Sequence, residues 1–518
     1  MNRDEMLAEI SDKKTRWDII VIGGGATGMG IAIDSASRGY KTLLLEQHDF
    51  GKGTSSRSTK LIHGGVRYLQ QGNISLVLEA LKERGILRRN APHLVHNLPF
   101  IVPSYDWWQG PFYGIGLKLY DMLAGKEGFG HSKLLSKEET VDRLPTIERE
   151  GLQGGVIYYD GQFDDARLII NMARTAVEQG ATVLNYCKVA KINKNQNIIS
   201  GVVAVDQLGG KEYKVDARVV INATGVFTDS VLQLDCPESD NLIVPSQGVH
   251  LVLDKSFLPG DSAIMVPHTD DGRVLFAIPW HDRVLVGTTD TPVDQIDLEP
   301  RPLPEEVSFL LEHAARYLTK DPAPGDVLSL FAGLRPLVNS GKGEKTAAIS
   351  RDHTIYISRC GLVTVAGGKW TTYRKMAEDT LDQAISVGGL DPQPCHTREL
   401  NIHGYHVHPD KYGDLAIYGA DAIPLRDLIE ENEKNNKRIH PRSPVTIGEV
   451  LWAVRHEMAQ TVEDFLARRT RWLLLNARLS VEMAPTVARL MAEEMGKGEA
   501  WIEEQAKNYK QLAEGYVL

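Results

Sequence analysis

The sequence has few cysteines, and they form no metal-binding or disulfide-rich pattern. The four cysteines are Cys187, Cys236, Cys360 and Cys395, with no CxxC pair and no Cys/His cluster among them. Neither a structural zinc site nor a disulfide framework is therefore expected. Few cysteines in a chain of 518 residues fit a reducing compartment. We predict a protein without a bound metal.

Long apolar runs and a basic excess are also missing. No stretch of about 18 apolar residues occurs, so no segment is expected to span a bilayer as a helix. Residues 1–16 mix both charges and lack the apolar core of a secretory signal. The 68 acidic residues outnumber the 58 basic ones, which argues against nucleic-acid binding. We expect a cytoplasmic chain that contacts membranes only peripherally, with a homodimer as one assembly the sequence allows.

The most informative pattern present is a glycine-rich turn near the N-terminus. Ile19–Ile22 is a short apolar run typical of a buried parallel strand. Gly23 would form the tight turn after it, Gly25 would let backbone approach a pyrophosphate, and Gly28 would let the next helix pack closely. That helix N-terminus offers free N–H groups to phosphates. Glu46 ends the next strand, and its distance in sequence from the glycine turn is close to that of a carboxylate that binds ribose hydroxyls.

A second strand–glycine–helix pattern lies more than 300 residues later. Leu362–Val365 is a short apolar run, Gly367-Gly368-Lys369 a turn, and a helix is expected from Tyr373. Such a turn can direct a helix N-terminus and a lysine at an anionic group, and a reduced flavin carries negative charge near N1. The split pattern favours FAD over NAD, and a nicotinamide dehydrogenase is an alternative.

The remaining patterns predict the organisation of the chain. Strands are expected over 182–188, 198–206 and 214–221, the last followed by Asn222-Ala223-Thr224-Gly225. Residues 241–300 alternate apolar and polar side chains, which indicates a separate sheet. Residues 391–518 have helical patterns, and apolar residues from Leu451 to Leu466 predict one helix with a core-facing stripe.

Four segments together resemble the FAD-dependent glycerol-3-phosphate dehydrogenases, within the D-amino-acid-oxidase-like flavoproteins. They are Asp18–Gly28, Thr54–Leu69, Gly333–Leu337 and Gly367–Arg374. Val454–Ala459 with Asp464–Thr470 is similar to the family's helical C-terminal domain. The resemblance covers nearly all of the chain from residue 17 and is weakest over 391–440.

The resemblance and the patterns together imply an α/β fold with three parts. A discontinuous Rossmann-like FAD-binding domain would comprise 17–100, 151–240 and 333–390. A mixed-sheet substrate-binding cap would comprise 101–150 and 241–332, and an α-helical C-terminal domain 391–518. The implied reaction is oxidation of glycerol 3-phosphate at C2, with hydride transfer to flavin N5.

This reaction requires a phosphate site, a cation near the reacting oxygen and a proton acceptor. Arginine suits phosphate because its planar fork binds oxygens bidentately. The resemblance implies substrate contacts from Arg67, Tyr68, Thr288 and Arg351. It implies that Arg335 and Lys369 stabilise developing charge. His63 is the proposed proton acceptor, because imidazole is the side chain that changes charge near neutral pH.

The expected FAD contacts comprise the two glycine turns, the hydroxyl-rich segment after Glu46 and parts of two further strands. They are Gly23, Gly25, Gly28, Glu46, Thr54, Ser55, Ser56, Val189, Ala223, Gly225, Gly368, Lys369 and Thr371.

The electron acceptor and the membrane contact are open at this level. The family implies quinone for some members and oxygen for others. No insertion typical of the oxygen-using oxidases is recognised, which favours quinone as the acceptor, with oxygen as the alternative. The aromatic segment 105–120 or the basic run Arg468–Trp472 is a candidate for contact with lipid. An amine or amino-acid oxidase of the same fold and a non-enzymatic flavin-binding regulatory protein are alternatives.

Overall fold

The structure is a computed structural model that describes residues 1–65, 73–106, 109–267, 269–270, 272–339 and 352–518. Within these ranges, no helix combines the length and apolar character needed to cross a membrane.

The strands are β1 (Trp17–Ile22), β2 (Thr42–Leu45), β3 (Leu61–Ile62), β4 (Val95–Ser104), β5 (Lys133–Leu135), β6 (Gly154–Phe163), β7 (Thr182–Leu184), β8 (Cys187–Asn195), β9 (Ile198–Asp206), β10 (Glu212–Asn222), β11 (Ile243–Asp254), β12 (Ala263–Val266), β13 (Leu275–Trp280), β14 (Arg283–Gly287), β15 (Thr291–Pro292), β16 (Val327–Val338), β17 (His353–Ile357) and β18 (Leu362–Gly367). The α-helices are α1 (Arg3–Ser11), α2 (Ala26–Ser37), α3 (Ile74–Asn90), α4 (Gln109–Ala124), α5 (Lys137–Arg143), α6 (Asp165–Glu178), α7 (Thr228–Asp235), α8 (Pro304–Ala315), α9 (Tyr373–Gly388), α10 (Ala422–Glu430), α11 (Ile447–Glu457), α12 (Trp472–Leu475), α13 (Ala477–Met495) and α14 (Glu499–Ala513).

A largely parallel sheet forms the nucleotide-binding part. Its strands run in the order β17-β18-β10-β1-β2-β7, and the β8–β9 hairpin extends it beside β10. Strand β1 pairs in parallel with β2 and β10, and β10 pairs in parallel with β18. The two glycine-turn units are therefore close in space. Helices α2 and α9 touch so closely that a Cβ on Gly30 would lie 2.8 Å from Tyr373 Cδ2.

A second, mixed sheet contains the strands that are expected to bind substrate. Its order is β15-β11-β14-β13-β12-β4-β6-β3, with β16 beside β11 and β5 beside β6. The pairing of β4 with β12 is parallel, whereas long antiparallel ladders join β4 to β6 and β11 to β16. One face packs against α8 and the other against the C-terminal helices. The predicted α/β fold, with a Rossmann-like unit, a mixed sheet and a helical C-terminal region, is confirmed.

The mixed sheet also includes strands from segments that the expected boundaries assign to the FAD-binding domain. Strands β4 and β6 pair with each other along their whole length, and β16 continues past residue 333. Sheet membership therefore crosses the expected boundaries, and these boundaries stay a prediction.

The prediction of a single helix from Leu451 to Leu466 is wrong. Helix α11 ends at Glu457, and Met458 adopts a left-handed conformation with φ of 54°. A separate π-helical turn spans Asp464–Arg469. The Asp464 carboxylate accepts hydrogen bonds from the N–H groups of Gln460 at 2.7 Å and Thr461 at 3.0 Å. This local cap starts a new turn and replaces the continuation that the apolar spacing suggests.

The basic run after Asp464, one candidate for contact with anionic lipid, is instead buried and ion-paired. The side chains of Arg468, Arg469 and Arg471 are at most 3% exposed. Arg468 and Arg469 pair with Asp49, which follows strand β2, and Arg471 Nε lies 2.9 Å from an Asp164 oxygen. These buried charges fasten the C-terminal helices to the nucleotide-binding part, because each has a carboxylate partner there.

A histidine fastens the start of the C-terminal region to helix α6. His403 Nε2 lies 2.8 Å from an Asp421 carboxylate oxygen, and Nδ1 contacts Glu178. Burial opposes the charge of His403, but its hydrogen bonds to the carboxylates of Asp421 and Glu178 raise its pKa above the ordinary value. Arg174, which pairs with Asp421, acts in the opposite direction.

We predict that His403→Gln destabilises the protein more at pH 6 than at pH 9. A raised folded-state pKa gives stability that is complete below about pH 6.5 and is lost as the pH rises through the folded value. The expected loss at pH 6 is about 1 kcal/mol in the free energy of unfolding. Denaturant titrations at both pH values measure it, with His131→Gln at an exposed position as control. An equal loss at both pH values would contradict this assignment.

Candidate functional site

Three turns meet at one edge of the parallel sheet. Because β1, β10 and β18 run in parallel, their carboxyl ends bring together the turns at Gly23–Gly28, Ala223–Gly225 and Gly367–Lys369. In open α/β sheets, ligands bind in the crevice outside the carboxyl ends of the strands. This edge is therefore the expected dinucleotide site.

The first turn has the geometry that a pyrophosphate cradle requires. Gly23 has φ of +110°, and a Cβ there would lie 2.6 Å from the Ala223 carbonyl oxygen. A Cβ on Gly28 would lie only 1.9 Å from the Gly23 carbonyl oxygen. Both positions require glycine for close backbone packing, so the turn fits the adenine and pyrophosphate end of FAD.

The N-terminus of helix α2 lies beside the polar groups expected to contact the cofactor. The Ala26 N–H donates to Ser55 Oγ at 3.0 Å, and the Gly24 N–H donates to Glu46 Oε2 at 2.7 Å. Burial raises the pKa of Glu46, while the N–H groups of Gly24 and His48 favour its carboxylate form. The free N–H end of α2 and these oxygens meet where phosphate and ribose groups would lie.

A short turn joins this cradle to a large cavity. The Thr54–Ser56 turn is fixed from two sides, since Thr54 Oγ1 donates to the Leu334 carbonyl at 2.7 Å and Trp370 Nε1 donates to the Ser55 carbonyl at 2.9 Å. Behind the turn, buried Lys60 Nζ lies 2.7 Å from an Asp165 oxygen. The segment 54–60 is therefore held by strand β16, by the start of helix α6 and by the residue after the second glycine turn.

The cavity has a volume of about 540 Å³ and lies between the two sheets. It is lined by seven of the expected site residues, which come from segments far apart in the sequence. These are Thr54, His63, Thr288, Arg335, Gly368, Lys369 and Thr371. Lys369 stands directly before the turn Trp370–Thr372 that leads into helix α9.

Arg335 is held in the cavity wall by hydrogen bonds from both terminal nitrogens of its guanidinium. Its Nη2 donates to the Thr289 carbonyl at 2.9 Å and to Thr288 Oγ1 at 3.2 Å. Its Nη1 donates to the Gln247 carbonyl at 3.2 Å and lies 3.4 Å from an Asp290 oxygen. Strands β11 and β16 and the end of β14 thus hold the guanidinium before substrate arrives, which is the pre-organisation that charge stabilisation needs.

The structure adds cavity residues that the sequence patterns did not identify. His250 on β11 lines the cavity, stacks on Phe331 at 4.9 Å and has Nε2 2.9 Å from Thr59 Oγ1. Burial, with Lys60 and Arg335 nearby, keeps its pKa well below the ordinary value, so it is neutral. A histidine between the apolar residues Val249 and Leu251 of a buried strand is the signal that could have found it. Asp160 and two further cations, Arg57 and Arg273, also line the cavity.

The other expected residues are distributed as follows. Ala223 and Gly225 belong to the turn that packs against Gly23. Val189 is buried in the core on strand β8, which begins beside the Glu46 carbonyl. Arg67, Tyr68 and Arg351 lie outside the described residues, and their roles stay predictions. No cluster of His, Cys, Asp or Glu side chains in the described ranges is suited to a metal ion.

Comparisons with known proteins agree with this architecture. Residues 18–374 match the family described as FAD dependent oxidoreductase, and residues 363–502 match the C-terminal domain of alpha-glycerophosphate oxidase. A probable mitochondrial glycerol-3-phosphate dehydrogenase of Caenorhabditis elegans is 41% identical over 526 residues, covering 95% of this chain and 72% of the relative. The mitochondrial glycerol-3-phosphate dehydrogenase of Homo sapiens is 40% identical, covering 93% and 71%.

A solved structure is similar over the full length. The glycerol-3-phosphate dehydrogenase of Bacillus halodurans complexed with FAD is 31% identical, has a TM-score of 0.81 and covers 100% of this chain and 98% of that one. The family match spans more than half of the chain, and it includes both glycine turns and the strands that form the cavity. The chain belongs to the FAD-dependent oxidoreductase family and groups with its glycerol-3-phosphate dehydrogenase members.

Proposed function

We propose that this protein oxidises sn-glycerol 3-phosphate to dihydroxyacetone phosphate with FAD. The observation that carries the proposal is the cavity beside the second glycine turn, whose wall contains Arg57, Arg273, Arg335 and Lys369. In a chain with a net charge of −10, this group of cations makes a local site for a phosphorylated substrate. Relatives at about 40% identity are named for the same substrate.

The chain's own residues supply binding and charge stabilisation. The two glycine turns would hold FAD, which would supply the hydride acceptor for C2 of the substrate. The fixed guanidinium of Arg335 stabilises the negative charge that develops on the C2 oxygen. Lys369 adds a second cation at the second glycine turn. The hydrogen bond between Thr288 Oγ1 and Arg335 Nη2, at 3.2 Å, supports Thr288 as our proposed substrate contact. The predicted contacts from Arg67, Tyr68 and Arg351 would complete the phosphate site.

His63 is our proposed acceptor for the hydroxyl proton. It lines the cavity, as does a second histidine, His250. His250 is already hydrogen-bonded to Thr59, so we assign it to holding segment 54–60 opposite Arg335. Imidazole suits the acceptor role because its basicity matches neutral pH.

Anaerobic bleaching of the bound flavin tests the substrate assignment. Glycerol 3-phosphate is expected to bleach the flavin band, whereas glycerol and glycine are not, because they lack the phosphate that the cations recognise. Bleaching by an amino acid but not by glycerol 3-phosphate would support an amine oxidase instead. Bleaching by none of them would support a flavin-binding regulatory protein.

We further propose that electrons pass to quinone and that the chain docks on the inner face of the cytoplasmic membrane through helix α4. One face of this helix is apolar and open, with Phe112 56%, Ile115 74%, Leu119 39% and Met122 71% exposed. Exposed Lys118 lies within this surface and suits anionic headgroups. A helix with this pattern is typical of interfacial binding.

The double substitution Ile115→Asp, Met122→Asp is expected to lower binding to phosphatidylglycerol-containing vesicles at least tenfold. Burying each apolar side chain in the membrane contributes about 1.5–3 kcal/mol to the free energy of binding, and the new carboxylates repel anionic lipid. Vesicle sedimentation measures the change, with Ile198→Asp, at 58% exposed on the β8–β9 hairpin, as control. Equal sedimentation of the double variant and wild type would reject α4 as the docking surface.

A separate experiment distinguishes the electron acceptors, by comparing reoxidation of the reduced protein by a soluble quinone with reoxidation by air.

A further inference from the structure

The buried side of helix α4 carries a tyrosine that reaches the wall of the cavity. Tyr120 is 1% exposed. Its Oη accepts a hydrogen bond from the Gly64 N–H at 2.7 Å and donates one to Asp160 Oδ2 at 2.8 Å. Gly64 stands between His63 and Gly65, and both neighbours line the cavity, as does Asp160. One hydroxyl therefore connects α4, strand β6 and the segment that carries the proposed proton acceptor.

The direction of the two hydrogen bonds is set by the surroundings of Asp160. Its Oδ1 is occupied by Arg84 Nη1 at 2.6 Å and by the Gly161 N–H at 3.2 Å, which leaves Oδ2 for the tyrosine. Arg84 is itself fixed, with its guanidinium 4.2 Å from the Phe129 ring centre. Burial, with the nearby Asp160 carboxylate, raises the pKa of Tyr120 well above its ordinary value. The hydroxyl therefore keeps its single proton for Asp160 and offers a lone pair to Gly64.

The segment around Gly64 is built to reach this hydroxyl. A Cβ on Gly64 would lie 2.4 Å from Tyr120 Oη and 2.6 Å from Leu81 Cδ2. The backbone thus approaches α4 and α3 as closely as a glycine allows. Since a buried N–H without a partner is costly, loss of the hydroxyl would let this backbone move away from α4.

We propose that Tyr120 is a positioning residue that sets the place of His63 through the Gly64 N–H. The proposal rests on the proposed role of His63 as proton acceptor. Displacement of a reacting group by about 1 Å can lower a rate roughly 100-fold. Tyr120 touches neither substrate nor cofactor in this scheme, so its removal should slow the reaction while leaving substrate affinity nearly unchanged.

The test compares Tyr120→Phe with Tyr113→Phe, a change two turns earlier on the same helix. The Tyr113 hydroxyl makes no hydrogen bond in the part of the chain that the structure describes, so its loss should be silent. FAD-loaded proteins are mixed anaerobically with glycerol 3-phosphate, and the flavin reduction rate is fitted against substrate concentration. Hydrogen exchange of peptides covering residues 61–65 is measured in the same preparations.

For Tyr120→Phe we expect a 10- to 100-fold slower limiting rate, a dissociation constant within about twofold of wild type, and faster exchange at Gly64. Gly64→Ala, which pushes the hydroxyl off the amide, should give the same pattern if Tyr120→Phe does not fold. Wild-type reduction and exchange in the FAD-loaded Tyr120→Phe fraction would overturn the proposal, and so would loss of flavin with a normal rate in the loaded fraction. Wild-type protein that glycerol 3-phosphate does not bleach would instead refute the proposed function.

Discussion

Arg335→Ala is expected to lower turnover about 100- to 1000-fold while the protein still binds FAD stoichiometrically. Removing one pre-organised charge that faces developing negative charge costs about 2.7–4 kcal/mol in the transition state. The side chain is not part of the cofactor cradle, because its contacts are to Gln247, Thr288, Thr289 and Asp290. The measurement is kcat together with flavin content of the purified variant.

Two further variants make the assignment of Arg335 specific. Arg335→Lys keeps the charge but loses the planar fork, so we expect it to recover only part of the lost activity. Arg442→Ala removes an exposed arginine that pairs with Glu482 and should leave turnover unchanged. Turnover of Arg335→Ala at the wild-type level would show that this residue has no part in the reaction.

Gly28→Val is expected to abolish FAD binding. A Cβ at this position would lie 1.9 Å from the Gly23 carbonyl oxygen, so helix α2 would have to move off strand β1. The N–H groups that receive the pyrophosphate would move with it. Flavin absorbance per polypeptide should fall below roughly one tenth of the wild-type value.

A matched glycine substitution separates this effect from general intolerance. A Cβ on Gly325 would meet no atom within 4 Å, so Gly325→Ala should purify with its full flavin content. Circular dichroism of both variants shows whether the chain is folded. A folded Gly28→Val protein that retains stoichiometric flavin would refute the glycine turn as the cofactor cradle.

The parts of the fold that local patterns determine could be predicted from the sequence. Strand β1, helix α2 and strand β18 follow from short apolar runs beside glycine turns, because each is specified by residues next to one another. The same holds for Lys369, whose position at a turn before a helix is a local feature. Their meeting at the carboxyl ends of the sheet follows from parallel pairing, and the alternating pattern of residues 241–300 indicates the second sheet.

Features that depend on distant partners could not be predicted. The arginines from 468 to 471 have the composition of a solvated surface. They are buried because they form ion pairs with Asp49 and Asp164, which lie more than 300 residues earlier in the sequence. His250 gains its importance only when β11 meets segment 54–60. The break after Glu457 depends on how the Asp464 carboxylate caps the preceding N–H groups. Tyr120 is similar, since its two hydrogen-bond partners, Gly64 and Asp160, come from two separate segments.

The most direct test of the central claim is anaerobic reduction of the FAD-loaded protein by glycerol 3-phosphate carrying deuterium at C2. The account predicts that one equivalent of substrate bleaches one equivalent of flavin, that dihydroxyacetone phosphate forms, and that deuterium slows the bleaching severalfold. Flavin that stays oxidised with glycerol 3-phosphate, or that is bleached with no effect of deuterium at C2 on a reduction step limited by chemistry, would contradict it.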